Sequence, residues 1–563
     1  MLEPDFLRLG GIALLLPFVL ALICFLVVWW APKWNWTRVW FGRAGVAVSL
    51  LIFVYTLWLI WDLHAGEMAF FKPIDGWQHP VGIPLLPEEV FTLDLHVDAL
   101  SLYFVLLANL IAFAASWKAA AEMGDTDAAN DWNQGTSRLC HPVFLQGCLS
   151  GLHLTMLLVL ILNNLVAIWI GIELTTLFSA LVVGYRNSPA AWEAAWKYLI
   201  ITSAGIVLAL LGTLFLAHAI PEGTSIAGRP LDGLMNWTEL MRLAGENRLD
   251  IEFVTLAFLF VLIGYGTKAG LAPLHTWLPD GHGEAPAPVS ALLSGVLLEL
   301  ALYAILRYHS ITNAALGNVQ LTSTLLLFAG VLSLLVATPF ILKKNPFKRV
   351  LAYHSVEHMG IICLGIGFGT PIALIGALLH ALNHAATKAL MFLAYGAVLH
   401  EYRRVLHWLP NERDPDEKVA GVLRALPKTA TLLGLGGFAL AGTPPFGIFI
   451  SEVLILWGGM QRLIPGADQT PLPGAAPDWA VALGVAVLMI TTTLIFFGLV
   501  RHLNEHLLGQ PPADKSFFVE RWWRDLAPLI VLAVFVVAGV FFVTWSGLLD
   551  PCVQILTGGT QGR

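Results

Sequence analysis

The sequence predicts an all-α polytopic membrane protein of about fourteen spans, and three observations carry that expectation. Apolar residues fill 57% of the 563 positions, charged residues only 12%, and mean hydropathy is +0.74. A water-soluble fold of this size needs far more charge to cover its surface. Apolar runs of about 20 residues, enough to cross a hydrocarbon core, recur along the whole chain. The stretches between them are short, or polar and rich in Gly and Pro, and none has the character of a soluble domain.

Taken in order, the first run is Leu9 to Trp30. It is too long and too poorly flanked for a cleaved signal peptide, so it reads as the first span. Further cores begin near Ala44, Val97, Val143, Leu165, Ala194, Phe253, Val289, Leu321, Val350, Ile372, Thr429, Trp479 and Leu526. The longer connections fall at 62–95, 121–141, 220–249, 401–427, 464–478 and 504–524. Assigning loops alternately to the two sides gathers most of the 31 Lys and Arg on one side, including Lys343, Lys344, Lys348, Arg349 and the cluster from Arg403 to Lys428. That side is then cytoplasmic and both termini lie on the other.

The spans divide into four parts. Residues 1–142 carry three helices and their loops. Residues 143–310 and 311–507 each hold five spans with one proline-broken helix, and 508–563 hold a loop and the last span. An odd number of spans per block makes the second block an inverted copy of the first, an arrangement that transporters use to build an ion site.

Composition also excludes several functions. The five cysteines are scattered with no CxxC pair, so neither a disulfide framework nor an iron–sulfur site is expected. The glycine-rich string from Gly434 lacks the strand and downstream acid of a dinucleotide site, and no phosphate-binding loop is present. The formal charge of −7 is spread among loops and suggests no nucleic-acid partner. No cofactor is expected in the chain, so its energy must come from an ion gradient or a partner.

Within the apolar runs, Lys268 is the most informative residue. A lysine at bilayer depth costs about 2.5–3.5 kcal/mol on insertion scales and persists only if paired or hydrated. Pro273, Pro279, Pro286 and Pro288 follow it and break the helix. Glu173 and Glu299 lie inside neighbouring runs. His380, His384 and Lys388 are four apart and share one helix face. Pro444 and Pro445 make the second break, and Glu452 follows it. Acids, lysines and near-neutral histidines at this depth form the chemistry of a proton relay. The plainer reading, buried pairs that only pin helices together, carries a heavy desolvation cost.

Secondary candidates are less sharply defined. Glu357 and His358 follow the basic loop and read either as a gate or as surface near a mouth. Lys197 sits near a helix start, where snorkelling competes with a functional role. His275 lies in the first break. His275, His282 and Glu284 lack a metal-ligand period, so no metal site is expected.

Four strings carry a family resemblance: KAGLAPLHTWLPDGHGEAPAPVSALLSG, FKRVLAYHSVEHMGII, LLHALNHAATKALMFLAYGAV and GTPPFGIFISEVLIL. In this order they resemble the antiporter-like proton-channel subunits of respiratory complex I, membrane-bound hydrogenases and formate hydrogenlyase, and Mrp-type cation/proton antiporters. Similar subunits also serve DAB-type inorganic-carbon accumulation. The Glu357–His358 pair and LDLHVDALSLYF resemble the hydrogenase-subunit branch most.

The resemblance implies that Glu173 pairs with Lys268 as the switch of a first half-channel. It implies that His380, His384 and Lys388 carry protons laterally, and that Glu452 releases them. Many relatives have lysine or histidine where this chain has Glu299. The implied setting is a bacterial inner membrane, with protons, lipids and other complex subunits as partners. Those subunits are hydrogenase or quinone-module proteins, or a zinc-containing carbonic-anhydrase-like protein.

Overall fold

The computed structural model describes residues 17–27, 35–65, 77–82, 92–123, 141–221, 235–407, 418–464, 472 and 474–557. The ends of the first expected span, Cys140, much of the longer loops and both termini lie outside them. The elements in order are helices α1 (Pro17–Val27) and α2 (Asn35–Ala65), strands β1 (Trp77–Gly82) and β2 (Thr92–Val97), then α3 (Ala99–Met123), α4 (Pro142–Ile161), α5 (Leu165–Val183) and α6 (Pro189–His218). A short α7 (Trp237–Gly245) precedes α8 (Ile251–Ala269), α9 (Trp277–Glu284), α10 (Ala287–Leu316), α11 (Gln320–Leu342) and α12 (Phe347–Gly367). Then come α13 (Pro371–Val405), α14 (Pro427–Leu440), α15 (Gly447–Leu463), α16 (Asp478–Leu507), α17 (Ala527–Trp545) and α18 (Leu549–Leu556).

Eleven helices among the described residues are long and apolar enough to cross a membrane. The protein is therefore an all-α, multi-pass membrane protein. Three segments of the expected fourteen fall outside that set. These are α1, the histidine-bearing α13, and the broken pair α14–α15. One small element was not expected: β1 and β2 pair antiparallel, with Trp77 opposite Val97 and Gly82 opposite Thr92. The two-residue alternation of TLDLHV is the local signal for it.

Burial sorts the helices into an inside and an outside. The apolar stretch of α10 is wholly buried, and those of α3 and α12 are 94% buried, whereas that of α2 is 33% and those of α6 and α16 are 39%. Large apolar side chains such as Ile200, Val207, Leu214, Ile490 and Phe497 face outward on the peripheral helices. That is the pattern of lipid-facing helices around a protein-lined interior. Close approach at small residues sets the packing. At Gly264 there is no room for a Cβ against the backbone of Ala209, which lets α6 and α8 touch. Gly330 sits equally close to Gly360, which joins α11 to α12.

Both proline-marked breaks are present. After α8 the chain turns at Gly270, whose φ of +78° favours glycine, and restarts as α9 at Trp277. Pro273 lies in that gap, Pro279 in the first turn of α9, Pro286 at the cap of α10 and Pro288 in its first turn. First-turn prolines forfeit no helical hydrogen bond. Backbone groups freed by the break find partners: Trp277 Nε1 donates to Thr267 O at 2.9 Å, and Ala272 N donates to Ser333 Oγ at 3.0 Å. The second break, with Pro444 and Pro445, lies between α14 and α15.

The interior holds more charge than Lys268 and Lys388, the two cations expected within spans. Lys118, Arg307, Lys348 and Arg524 are also buried. They lie toward helix ends and reach an acid or a carbonyl. Lys118 Nζ meets Asp525 at 3.0 Å, Arg524 joins Asp525 and Glu401, and Lys348 donates to Ala285 O at 3.1 Å.

Arg307 grips Asp98 through two nitrogens at 2.6 and 2.8 Å and also reaches Ser101 and Tyr303. Its guanidinium lies 4.4 Å from the Trp237 ring centre. Burial disfavours the charge on Asp98, but Arg307 and His96 outweigh it and hold the carboxyl well below the usual carboxylate range. Asp98→Asn is expected to destabilise the protein by about 3–5 kcal/mol, because it strands a buried guanidinium. Thermal unfolding in detergent measures this. An unchanged melting temperature would mean that the pair does not hold α3 to α10.

Candidate functional site

The candidate site gathers ionisable side chains from α8, α10, α12, α13 and α15. It begins at Lys268, in the last turn of α8 and fully buried. Its ammonium donates to Ile172 O at 2.7 Å, to Thr175 Oγ1 at 2.8 Å and to Thr176 Oγ1. Three N–H groups meet three acceptors. No direct ion pair joins Lys268 to Glu173, contrary to the pairing the family resemblance implied. Ile172, Thr175 and Thr176 share one face of α5 at i, i+3 and i+4, and Glu173 projects about 100° away from Ile172. Glu173 instead accepts from Ser203 Oγ on α6 at 2.8 Å, and its other oxygen has no protein partner.

Glu299 lies on α10 just past a π-helical turn at Leu293–Leu297, with no hydrogen bond or ion pair joining it to Lys268. Such turns recur at functional sites because they shift the faces of a helix. At Gly295 a Cβ would lie 3.0 Å from Ala385 O, so α10 and α13 nearly touch there. One turn later Glu299 Oε1 meets His384 Nδ1 at 3.0 Å.

From His384 a file of rings continues. His358 lies 5.2 Å from His384 and 5.0 Å from His380, centre to centre. His358 Nδ1 and His380 Nε2 share a hydrogen bond of 2.9 Å, and His380 Nδ1 reaches Ser451 Oγ at 3.0 Å. A carboxylate oxygen of Glu452 lies within 4.8 Å of a ring nitrogen of each of these two histidines.

Glu357 and His358 are therefore not at a mouth. α12 starts at Phe347, so both sit about 15 Å along it and both are buried. Lys388 leaves the face of His380 and His384 to donate to Leu351 O on α12. Lys197 and His275 stay apart from this cluster. Lys197 is half exposed and bridges Glu193 at 2.6 Å and Asp280 at 3.3 Å, tying α6 to α9. His275 is buried in the first break with its ring 6.2 Å from Tyr353.

Sequence reasoning missed His354 and Ser451. His354 Nδ1 meets Glu357 Oε2 at 2.8 Å, one turn from His358 on the same helix. The His354/His358 spacing of four was the available signal. Among the described residues, two triads have donor atoms close enough to hold a metal ion: His354, Glu357 and His358, and His358, His380 and Glu452. The earlier trio of His275, His282 and Glu284 does not gather in this way. His282 instead stacks on Phe392 at 5.0 Å.

A profile of the family described as NADH:quinone oxidoreductase/Mrp antiporter, TM, matches residues 163–465. The chain is 36% identical over 422 residues to the Hydrogenase-4 component F homolog of Methylacidiphilum infernorum (isolate V4), covering 75% of this chain and 80% of that protein. It is 29% identical over 468 residues to Hydrogenase-4 component B of Escherichia coli (strain K12), covering 81% of this chain and 61% of that one. The fold is similar to a chain of the membrane-bound sulfane sulfur reductase, an archaeal respiratory membrane complex, with a TM-score of 0.72 at 19% identity over 97% of both chains.

Proposed function

We propose that this chain, which belongs to the NADH:quinone oxidoreductase/Mrp antiporter membrane family, is the proton-translocating subunit of a larger energy-coupling membrane complex. The observation that carries the reading is the run of proton-exchanging groups from the buried Glu299 through the buried His384, His358 and His380 to Ser451 and the partly exposed Glu452. Each can take up a proton on one atom and give one up from another, or do so by flipping a carboxyl or hydroxyl. Buried polar atoms without a protein partner line the same region: Glu299 Oε2, Thr387 Oγ1 and the Nε2 atoms of His358 and His384. Such atoms are natural anchors for bridging water.

In this proposal protons load Lys268 from the cytoplasmic face and pass Glu299 to reach the histidine file. They leave at Glu452. Glu173 acts on Lys268 through its charge and not by contact. A partner that moves α5 against α8 would break the three hydrogen bonds of Lys268 and release its proton. The proposal includes fourteen spans, with 143–310 and 311–507 as inverted repeats between the flanking parts 1–142 and 508–563. It also places both termini on the non-cytoplasmic side of an inner membrane. The partner class we favour is the hydrogenase type, from the relatives' own descriptions. Cation/proton exchange is the second reading, favoured by the antiporter half of the family.

Purification with partners intact, followed by reconstitution into vesicles and measurement of proton flux, tests the proposal. Flux that depends on sodium or potassium would select the exchange reading. Co-purification of a zinc protein instead of hydrogenase subunits would select the inorganic-carbon client. An absence of proton movement under every gradient would overturn the function itself.

A further inference from the structure

We infer that His358 is a junction where two proton branches meet, and that the second branch runs through His354 and Lys388. The inference rests on the proton-translocation reading. Three rings surround His358: His380 at 5.0 Å, His384 at 5.2 Å and His354 at 6.2 Å. Their nitrogens divide the labour. His358 Nδ1 is engaged with His380 Nε2, which leads outward to Ser451 and Glu452. His358 Nε2 has no protein partner, and neither does the Nε2 of His384 or of His354. Two buried donors-in-waiting thus flank one buried acceptor.

The two flanking histidines are anchored differently. His384 Nδ1 is held by Glu299, on the helix that continues from the first break. His354 Nδ1 is held by Glu357, within α12 itself. Beneath His354, the Lys388 ammonium donates to Leu351 O, about one helical turn away on α12. Lys388 also stands 5.8 Å from the centre of the Phe392 ring, on which His282 of α9 stacks. His282 is fully buried, and neither of its ring nitrogens has a protein partner. The second branch therefore climbs from His282 and Lys388, near the basic end of α12, through His354 and Glu357 to His358. The first branch arrives through Glu299 and His384.

The transfer balances at each ring. His358 gains a proton at Nε2 from His384 or His354 and loses one from Nδ1 to Nε2 of His380. His380 then gives its own Nδ1 proton toward Ser451 and Glu452, and both rings return to neutral.

The test compares His354→Ser, Glu299→Gln, the double variant and His358→Gln in the full-length protein, each reconstituted as monodisperse material at equal amounts. Each single-branch variant is expected to lower proton flux by about two- to five-fold. The double variant and His358→Gln are expected to lower it by about 100-fold or more, the scale of a lost proton-transfer group. A merely structural His354 would lower flux by the same factor with or without Glu299. That result, or a Glu299→Gln loss as deep as that of His358→Gln, would overturn the junction while leaving proton transport in place. No flux in the unaltered protein would overturn both.

Discussion

Replacing Lys268 with alanine is expected to lower proton flux by about two- to five-fold while the protein still assembles, because Lys268 feeds the one branch that passes Glu299. The ammonium links the end of α8, next to the first break, to α5 through Ile172, Thr175 and Thr176. In the proposed mechanism its loss removes the charge on which Glu173 would act. Stability should not suffer in proportion. The hydroxyls of Thr175 and Thr176 already donate to Ile172 O at 2.6 and 3.3 Å, so no donor is stranded. Removing a buried cation also relieves an insertion cost of about 2.5–3.5 kcal/mol. Vesicle flux measured beside detergent melting separates the two effects. Full flux with the alanine in place would remove Lys268 from the pathway.

Glu452→Gln is expected to cost about 10²-fold or more in flux, because the amide keeps the shape of the side chain and cannot take up a proton. Glu452 is placed by the second break. Gly442 has a φ of +63°, and a Cβ on it would strike Glu452 Oε2. Gly442→Ala should therefore displace the carboxyl from His358 and His380 and produce a milder loss of the same kind. If both variants transport normally, protons leave by another route, and the approach of Glu452 to the histidine rings is packing alone.

The break residues show how far local sequence reaches. Pro273, Pro286, Pro444 and Pro445 lie where helices stop or restart, as a missing N–H and a fixed φ favour, although Pro339 is accommodated inside α11. His380, His384 and Lys388 fall on one helix because four residues are about one turn. Even so, Lys388 turns to α12 while the histidines turn to Glu299, His358 and Ser451. His354 was hidden for the opposite reason. Its spacing of four from His358 was the one hint in the sequence, and only the fold shows that it meets Glu357.

Hydropathy and composition act within a single stretch of chain, so they determined the membrane class, most of the helices, both breaks and the identities of the charged residues held inside. Which of those residues touch is decided between stretches. Glu299 and His384 lie 85 positions apart, and Lys268 and Thr175 lie 93 apart. Only the packing of α5 on α8, and of α10 and α12 on α13, brings such pairs together. A helix fixes the face on which a side chain stands, and the neighbouring helix fixes what it meets.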